Sequence, residues 1–303
     1  MRLPLPAELH TTDRPSSTAQ WTTLGRSLEL RRPARQRIVD DAYAPTFLTH
    51  ASRAVLRGLE LAGPAARLAE RHELAGVSAF ALCRHRFIDE HLRTALRLGT
   101  EQLMVLGAGY DSRAYRFADE LAGRPVYEVD LPPLSRRKAK IVAAHPELFG
   151  HNAIHRVEID FRTQSLADRL VASGFDTGRQ TFVAWEGVTP YLSEDAVRGT
   201  LSVLRDVCGP GSRLALDLWR GPETGRSALD QVRRAAVRGF AIIGEPLTFG
   251  VSPAAGTSLL RQYGFEVRDL AEAAQLAGRY STAGRPSERS AYVVMAELAG
   301  SGS

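Results

Sequence analysis

"LMVLGAGYDSRAY", Leu103 to Tyr115, decides the fold of this chain. Four apolar residues run into Gly107-Ala108-Gly109, and the texture then turns polar. An apolar run that ends in glycine reads as a buried strand. The residues after it read as a helix, with Asp111 or Ser112 as its cap and Gly123 beyond its end. The same rhythm continues outward. "PVYEVD", "AIHRVEID", "QTFVAWEGV" and "SRLALDLW" read as strands, and "EVRDL" and "SAYVVMAEL" as two more. Helical stretches such as "LPPLSRRKAKIVAAHPELFG", "SLADRLVASG", "SEDAVRGTLSVLRDVCG" and "SLLRQYGF" separate them. Alternation of this kind implies an α/β fold, a doubly wound and mostly parallel sheet covered on both faces.

Before residue 100 the texture differs. Residues 1–17 are rich in proline, serine and threonine and read as a flexible arm. Residues 18–99 read as an N-terminal helical cap. A first helix starts at Ser17 or Thr18 and is ended or bent by Pro33. A block of short helices follows, broken at Pro45 and Gly63, then a longer helix from near Ser78 to Gly99. Residues 100–303 form the sheet domain. Its segment from about 220 to 256 is too long for a simple connection and is placed to cover a ligand as a lid.

The 303 residues are 44% hydrophobic and carry a net charge of +5. Lysine occurs only at Lys138 and Lys140, and the arginines are scattered among acids, so the charge does not indicate nucleic acid. Cys83 and Cys208 form no metal-binding spacing with histidine, and no metal is expected. No apolar run of membrane-spanning length is present, so the expectation is a cytoplasmic protein without a membrane partner.

In an open parallel sheet, ligands bind beyond the C-terminal ends of the strands. The first strand ends at Gly107 and Gly109, where glycine permits a tight turn and close approach of backbone to ligand. The next ends at Asp130, about twenty residues on, where a carboxylate can accept two ribose hydroxyls. Asp160 beside Phe161 ends the third and suits an adenine amino group and ring, Glu186 ends the fourth, and Asp217 the fifth. The competing reading of each acid is a cap for the following helix. The glycine loop lacks the third glycine of the dinucleotide fingerprint, since Ser112 stands there. Asp111 sits where a helix N-terminus would receive phosphate. A phosphate-free cation such as S-adenosylmethionine fits this loop better than NAD.

"LGAGYDSRAYR", "VYEVDLP", "AWEGVTPYLSEDAV" and "RHRFIDEHL" together resemble the leucine carboxyl methyltransferase-like family. More narrowly, they resemble its bacterial branch of S-adenosylmethionine-dependent O-methyltransferases, which includes polyketide O-methyltransferases. The resemblance implies a class I methyltransferase (Rossmann-like) fold with a seven-stranded sheet, and S-adenosyl-L-methionine as methyl donor. It also implies roles by position. Gly107 would lie against the methionine part, Asp130 on the ribose, Asp160 and Phe161 beside the adenine, and Glu186 at the cofactor. Arg84 would pair with the cofactor carboxylate, with Arg86 as its rival. His85, Ala42 and Phe161 depart from the family's threonine, proline and leucine at those places.

The implied function is O-methylation of a carboxyl or hydroxyl group on a small molecule, such as a polyketide or other secondary metabolite. A protein C-terminal carboxyl methyltransferase and a non-catalytic S-adenosylmethionine-binding protein are the alternatives, with an NAD-dependent oxidoreductase more distant. His85 and Tyr191 are the candidates for a catalytic base; the competing reading for His85 is a surface or structural role, and for Tyr191 packing at the strand-to-helix junction, which is the preferred one. Trp219, Phe240 and Phe249 are candidates for the acceptor pocket or a lid core. Acceptor identity and oligomeric state are not legible.

Overall fold

The computed structural model describes residues 17–69, 74–150, 154–161, 163–221, 248–281 and 290–300. The arm over 1–16, most of the lid segment, and Phe240 lie outside them. Seven strands form one sheet: β1 (Gln102–Leu106), β2 (Val126–Asp130), β3 (Ile154–Glu158), β4 (Thr181–Trp185), β5 (Arg213–Trp219), β6 (Phe265–Glu272) and β7 (Ala291–Leu298). Their order is β3-β2-β1-β4-β5-β7-β6. β1 to β5 pair in parallel, and β7 runs antiparallel between β5 and β6. This is the doubly wound, mostly parallel, Rossmann-like sheet that the alternation implies. The order reverses between β1 and β4, which opens a crevice at the C-terminal ends of those strands.

β1, β2 and β4 are buried along their whole length, as central parallel strands covered on both faces must be. Two cores result. On one face Phe80, Phe87 and Leu92 pack with Val105, Phe182 and Val293. On the other, Leu166, Leu201 and Leu260 pack with Leu106, Val183 and Leu216. Phe80, Phe87 and Leu92 belong to α3 (Leu74–Arg97), so the last helix of the N-terminal region is also a covering helix of the sheet.

The helices are α1 (Ser17–Glu29), α2 (His50–Ala69), α3, α4 (Arg113–Arg116), α5 (Ala118–Leu121), α6 (Pro132–Ala143) and α7 (Pro146–Phe149). They continue with α8 (Leu166–Ala172), α9 (Glu194–Val207), α10 (Pro253–Gln262) and α11 (Ala273–Tyr280). Several depart from the sequence reading. α2 runs through Gly63 instead of breaking there, and α3 begins four residues before Ser78. The single helix expected after Asp111 is two short helices, because Phe117 leaves helical geometry at φ −107° and ψ 22°. Its ring is fully buried, with the Arg93 and Arg116 guanidinium groups over it. α11 was not apparent in the sequence; Glu272 and Gln275 close a capping box at its start. No helix among the described residues is long and apolar enough to cross a membrane.

α5 ends on Ala122, which is exposed and left-handed at φ 49°. A side chain in that region costs about 1–2 kcal/mol, part of which glycine gives back by loosening the unfolded chain. Ala122→Gly is therefore expected to raise unfolding stability by about 0.5–1 kcal/mol, measured by urea denaturation. An unchanged or lower midpoint would count against strain at this cap.

Candidate functional site

A cavity of about 270 Å³ opens at the crevice between β1 and β4. Its floor is the stretch from Val105 to Asp111. Asp130 and Leu131 border one side, and Trp185 to Val188 with Tyr191 the other. α1 and α3 roof it with Thr18, Trp21, Thr22, Val77, Phe80 and Ala81. Arg84, His85, Gly107, Gly109, Asp130, Phe161, Glu186 and Tyr191 all line it. Asp160 does not. β3 stops at Glu158, and Asp160 lies beyond it in a turn where its carbonyl accepts from the Thr163 and Gln164 amides. Of the aromatic residues named for the acceptor side, Trp219 lines the cavity, whereas Phe249 packs in the second core.

The glycine loop is held in two ways. Gly107 has φ 66°, and a Cβ there would clash with Val188 Cγ2. The loop after β4 thus packs onto the bare glycine. Asp130 Oδ2 accepts from the Gly109 amide at 2.5 Å, and Oδ1 from the Leu131 amide at 2.7 Å. Burial pushes the Asp130 pKa up, and those two backbone donors work against it. The carboxylate therefore fixes the loop as well as facing the cavity. Lys138 braces the loop from behind, donating to the Asp111 carbonyl at 2.6 Å and to Glu128 on β2 at 2.7 Å.

Beneath the cavity lies a buried ionic network that the sequence reading missed. Arg113 is fully buried. Its Nε donates to Asp89 at 2.7 Å, its Nη1 to Asp111, and its Nη2 to Glu186 at 2.8 Å and the His85 carbonyl at 3.1 Å. Arg116 donates to both oxygens of Asp89. Asp41 joins from the N-terminal region, accepting from Arg26 at 2.6 Å and from the Ser112 hydroxyl at 2.7 Å. Ser112, at the place of the missing third glycine, thus tethers the loop to the N-terminal region.

Asp111 looks in sequence like a charge that would repel phosphate. In the structure Arg113 neutralises it, and burial, which raises its pKa, is outweighed so that the carboxyl titrates low. The case against a phosphate ligand here therefore rests on the missing glycine and the packing of Ser112, and not on a free charge at Asp111.

Glu186 collects donors from Arg84 at 3.0 Å, from Arg113 and from the His85 ring at 2.9 Å. Burial works to raise its pKa, but His85, Arg113 and Arg84 hold it well below the ordinary range. Arg84 also donates to Asp217 at 2.9 Å. Asp217 in turn accepts from the Gly187 amide and the Trp219 indole, so the end of β5 positions the loop after β4. Arg84 Nε and Nη1 are engaged in these bonds, while Nη2 has no hydrogen-bond partner among the described residues.

His85 has both ring nitrogens occupied. Nε2 receives an N–H from Arg116 at 2.8 Å, which leaves the proton on Nδ1, facing Glu186. Burial, and then Arg113, push its pKa down against the pull of Glu186 and Asp89. His85, Asp111 and Glu186 have potential metal-ligating atoms within 4.8 Å of one another. The Arg113 guanidinium bonds to Asp111 and Glu186 in that trio, where it supplies the positive charge.

A family model described as leucine carboxyl methyltransferase matches residues 19–205, more than half of the chain. A Parafrankia sp. (strain EAN1pec) protein named as an S-adenosyl-L-methionine-dependent methyltransferase is 34% identical over 67% of this chain and 63% of its own length. A protein named likewise from Mycobacterium tuberculosis (strain ATCC 25618 / H37Rv) is 35% identical over 59% of this chain and 56% of its own. The match thus spans somewhat over half the length of these relatives. A duf574 family protein from Streptomyces avermitilis superposes with TM-score 0.54 at 16% identity, covering 89% of this chain and 99% of that one. At that identity the likeness is one of fold.

Two predictions follow from the geometry. Gly107→Ala is expected to destabilise the protein by about 1–3 kcal/mol, and Val188→Ala in the same chain to recover part of that. Full additivity in urea denaturation would refute the contact. The folded chain resists protonating His85 while the unfolded chain protonates near the ordinary value of 6.5. Stability is then lost as pH falls below about 6.5, by up to about 1.4 kcal/mol per pH unit for one group. His91 adds to this limb, because burial lowers its pKa too. Asp89 and Glu186, whose pKa values are depressed, contribute a further loss in more acid solution. His85→Gln should shrink the difference in stability between pH 8 and pH 5, and an unchanged difference would contradict a buried neutral imidazole.

Proposed function

The chain belongs to the leucine carboxyl methyltransferase family, and from that premise we propose that it is an S-adenosylmethionine-dependent O-methyltransferase acting on a small molecule. The observation that carries this reading is the set of groups around one cavity: the glycine loop, Asp130, Phe161, Glu186 and the free Nη2 of Arg84. Asp130 would take the ribose hydroxyls through its remaining lone pairs. Leu131 and Phe161 offer apolar surface for the adenine. Arg84 Nη2 offers an N–H to the amino acid carboxylate. Glu186 and Asp217 keep the cavity's charge suited to a cation. The residues present therefore fit the methyl donor.

When bound, S-adenosylmethionine supplies an electrophilic methyl group. The chain's own part is to hold the acceptor oxygen in line and keep water out. Such positioning contributes on the order of 7–11 kcal/mol. Trp21, Val77, Phe80 and Trp219 give the acceptor side an apolar wall.

His85 is a poor general base, since its Nε2 already accepts from Arg116 and its Nδ1 faces Glu186. It is better described as positioning Glu186. Tyr191 lines the cavity and remains a candidate contact for the acceptor. With the described carboxylates and imidazole engaged, the reading favours an acceptor oxygen that ionises unaided. A carboxyl group, or a hydroxyl that is itself acidic, meets that requirement. Secondary metabolites such as polyketides carry such groups.

Mass spectrometry of cell metabolites with and without the gene identifies the acceptor as the species that gains one methyl unit. No such species, or label on proteins alone, would overturn the small-molecule reading. With that acceptor, single-turnover rates are expected to be flat above about pH 6, whereas an unaided phenol would gain about tenfold per pH unit. Asp130→Ala is expected to weaken S-adenosylmethionine binding by about tenfold or more in isothermal titration. Unchanged affinity in a folded variant would sink the ribose assignment.

A further inference from the structure

On the far side of the cavity wall lies a second concavity of about 330 Å³. It runs between the segment Thr46–Arg53, at the start of α2, and α6 with the turn after it. Arg53, Arg137 and Lys140 line it, with His50 and His145, and among the described residues no aspartate or glutamate does. The buried arginines at the main cavity, Arg26, Arg84, Arg113 and Arg116, are by contrast each paired with an acid. Among the described residues, none of Arg53, Arg137 and Lys140 makes an ion pair. Among the described residues Arg53 donates only to the Thr46 carbonyl, at 3.1 Å, and the buried Arg137 Nε has no hydrogen-bond partner. His145 donates its Nδ1 proton to the Ile141 carbonyl at 2.9 Å. The first turn of α2 contributes the positive end of a twenty-residue helix dipole.

The groove is not the site described above. Phe47 lines the groove, Tyr110 lines the cavity, and their rings stack at 5.4 Å to form the partition. The buried Tyr110 hydroxyl at that wall lies against the Gln20 and Arg137 side chains.

We propose that this groove is an anion site for a small phosphoryl-bearing ligand, separate from the methyl-transfer cavity. Three cations on two elements, none in an ion pair among the described residues, suit a multiply charged anion, and a single carboxylate would leave most of that charge unmet. Guanidinium forks from α2 and α6 suit the several oxygens of a phosphate or diphosphate. The groove opens to solvent and has room for the phosphate end of a small molecule. The proposal does not depend on the methyl-transfer reading.

The test is isothermal titration of inorganic pyrophosphate into the full chain at low salt, beside acetate and citrate. Pyrophosphate is expected to bind at one site, tighter than acetate by about tenfold or more, with affinity falling as salt rises. Arg53→Glu with Lys140→Glu is expected to weaken it by at least about tenfold. Lys140→Glu alone, at an exposed position, keeps the test available if the double variant does not fold. Neither residue lines the main cavity, so loss of binding in these variants places the anion in the groove. Pyrophosphate no tighter than acetate, or undiminished binding by the charge-reversed variants, would overturn the proposal. Citrate matching pyrophosphate would overturn the phosphoryl preference. A short single-stranded oligonucleotide binding far more tightly than pyrophosphate would overturn the small-molecule assignment.

Discussion

The burial of one guanidinium group organises the site. Arg113 has no exposed surface and holds Asp89 on α3, Asp111 in the glycine loop and Glu186 beyond β4 at once. These three acids come from three separate parts of the chain. Their convergence fixes how the N-terminal region meets the crevice. A buried ionic cluster is weak evidence for stability, because desolvation offsets most of the attraction. Losing one member is costly, at about 3–5 kcal/mol, because the partners remain buried and charged. The network therefore specifies arrangement more than it adds stability, and it determines which groups at the cavity remain available to a ligand.

That availability shapes the chemistry. Glu186 is kept ionised by Arg84, Arg113 and His85, and His85 is kept neutral by burial and by Arg113. Arg84 faces the cavity with one N–H to offer while its others hold Glu186 and Asp217. Charges at the cavity are thus set in place before a ligand arrives, with little rearrangement left to make. Preorganisation of this kind suits a displacement in which alignment supplies most of the rate. It leaves little scope for a side chain that shuttles protons.

Much of this was legible in the sequence because strands in a parallel sheet end where ligands bind. The apolar runs that stop at Gly107, Asp130 and Glu186 gave both the sheet and one edge of the cavity. Arg84 follows from the motif resemblance and Tyr191 from the search for a base, and both line the cavity. Arg113 was missed because "DSRAYR" has the look of an ordinary solvated helix start. Nothing in a local window shows that Asp89 and Glu186 will reach it. Asp41 and Ser112 were missed as partners for the same reason, although the short spacing of Asp111 to Arg113 hints at a local pair. Asp160 ends the apolar run in the sequence, but β3 itself stops at Glu158, two residues earlier. The antiparallel β7 and the helix α11 depend on pairing and capping at long or irregular spacing, where periodicity is a poor guide.

The central claim is that the cavity above the glycine loop takes S-adenosylmethionine and not a dinucleotide. Isothermal titration of the full chain with S-adenosylmethionine, its demethylated product and NAD addresses it directly. The account predicts one site per chain for the first two and no measurable binding of NAD. Tight NAD binding with none of S-adenosylmethionine would contradict it.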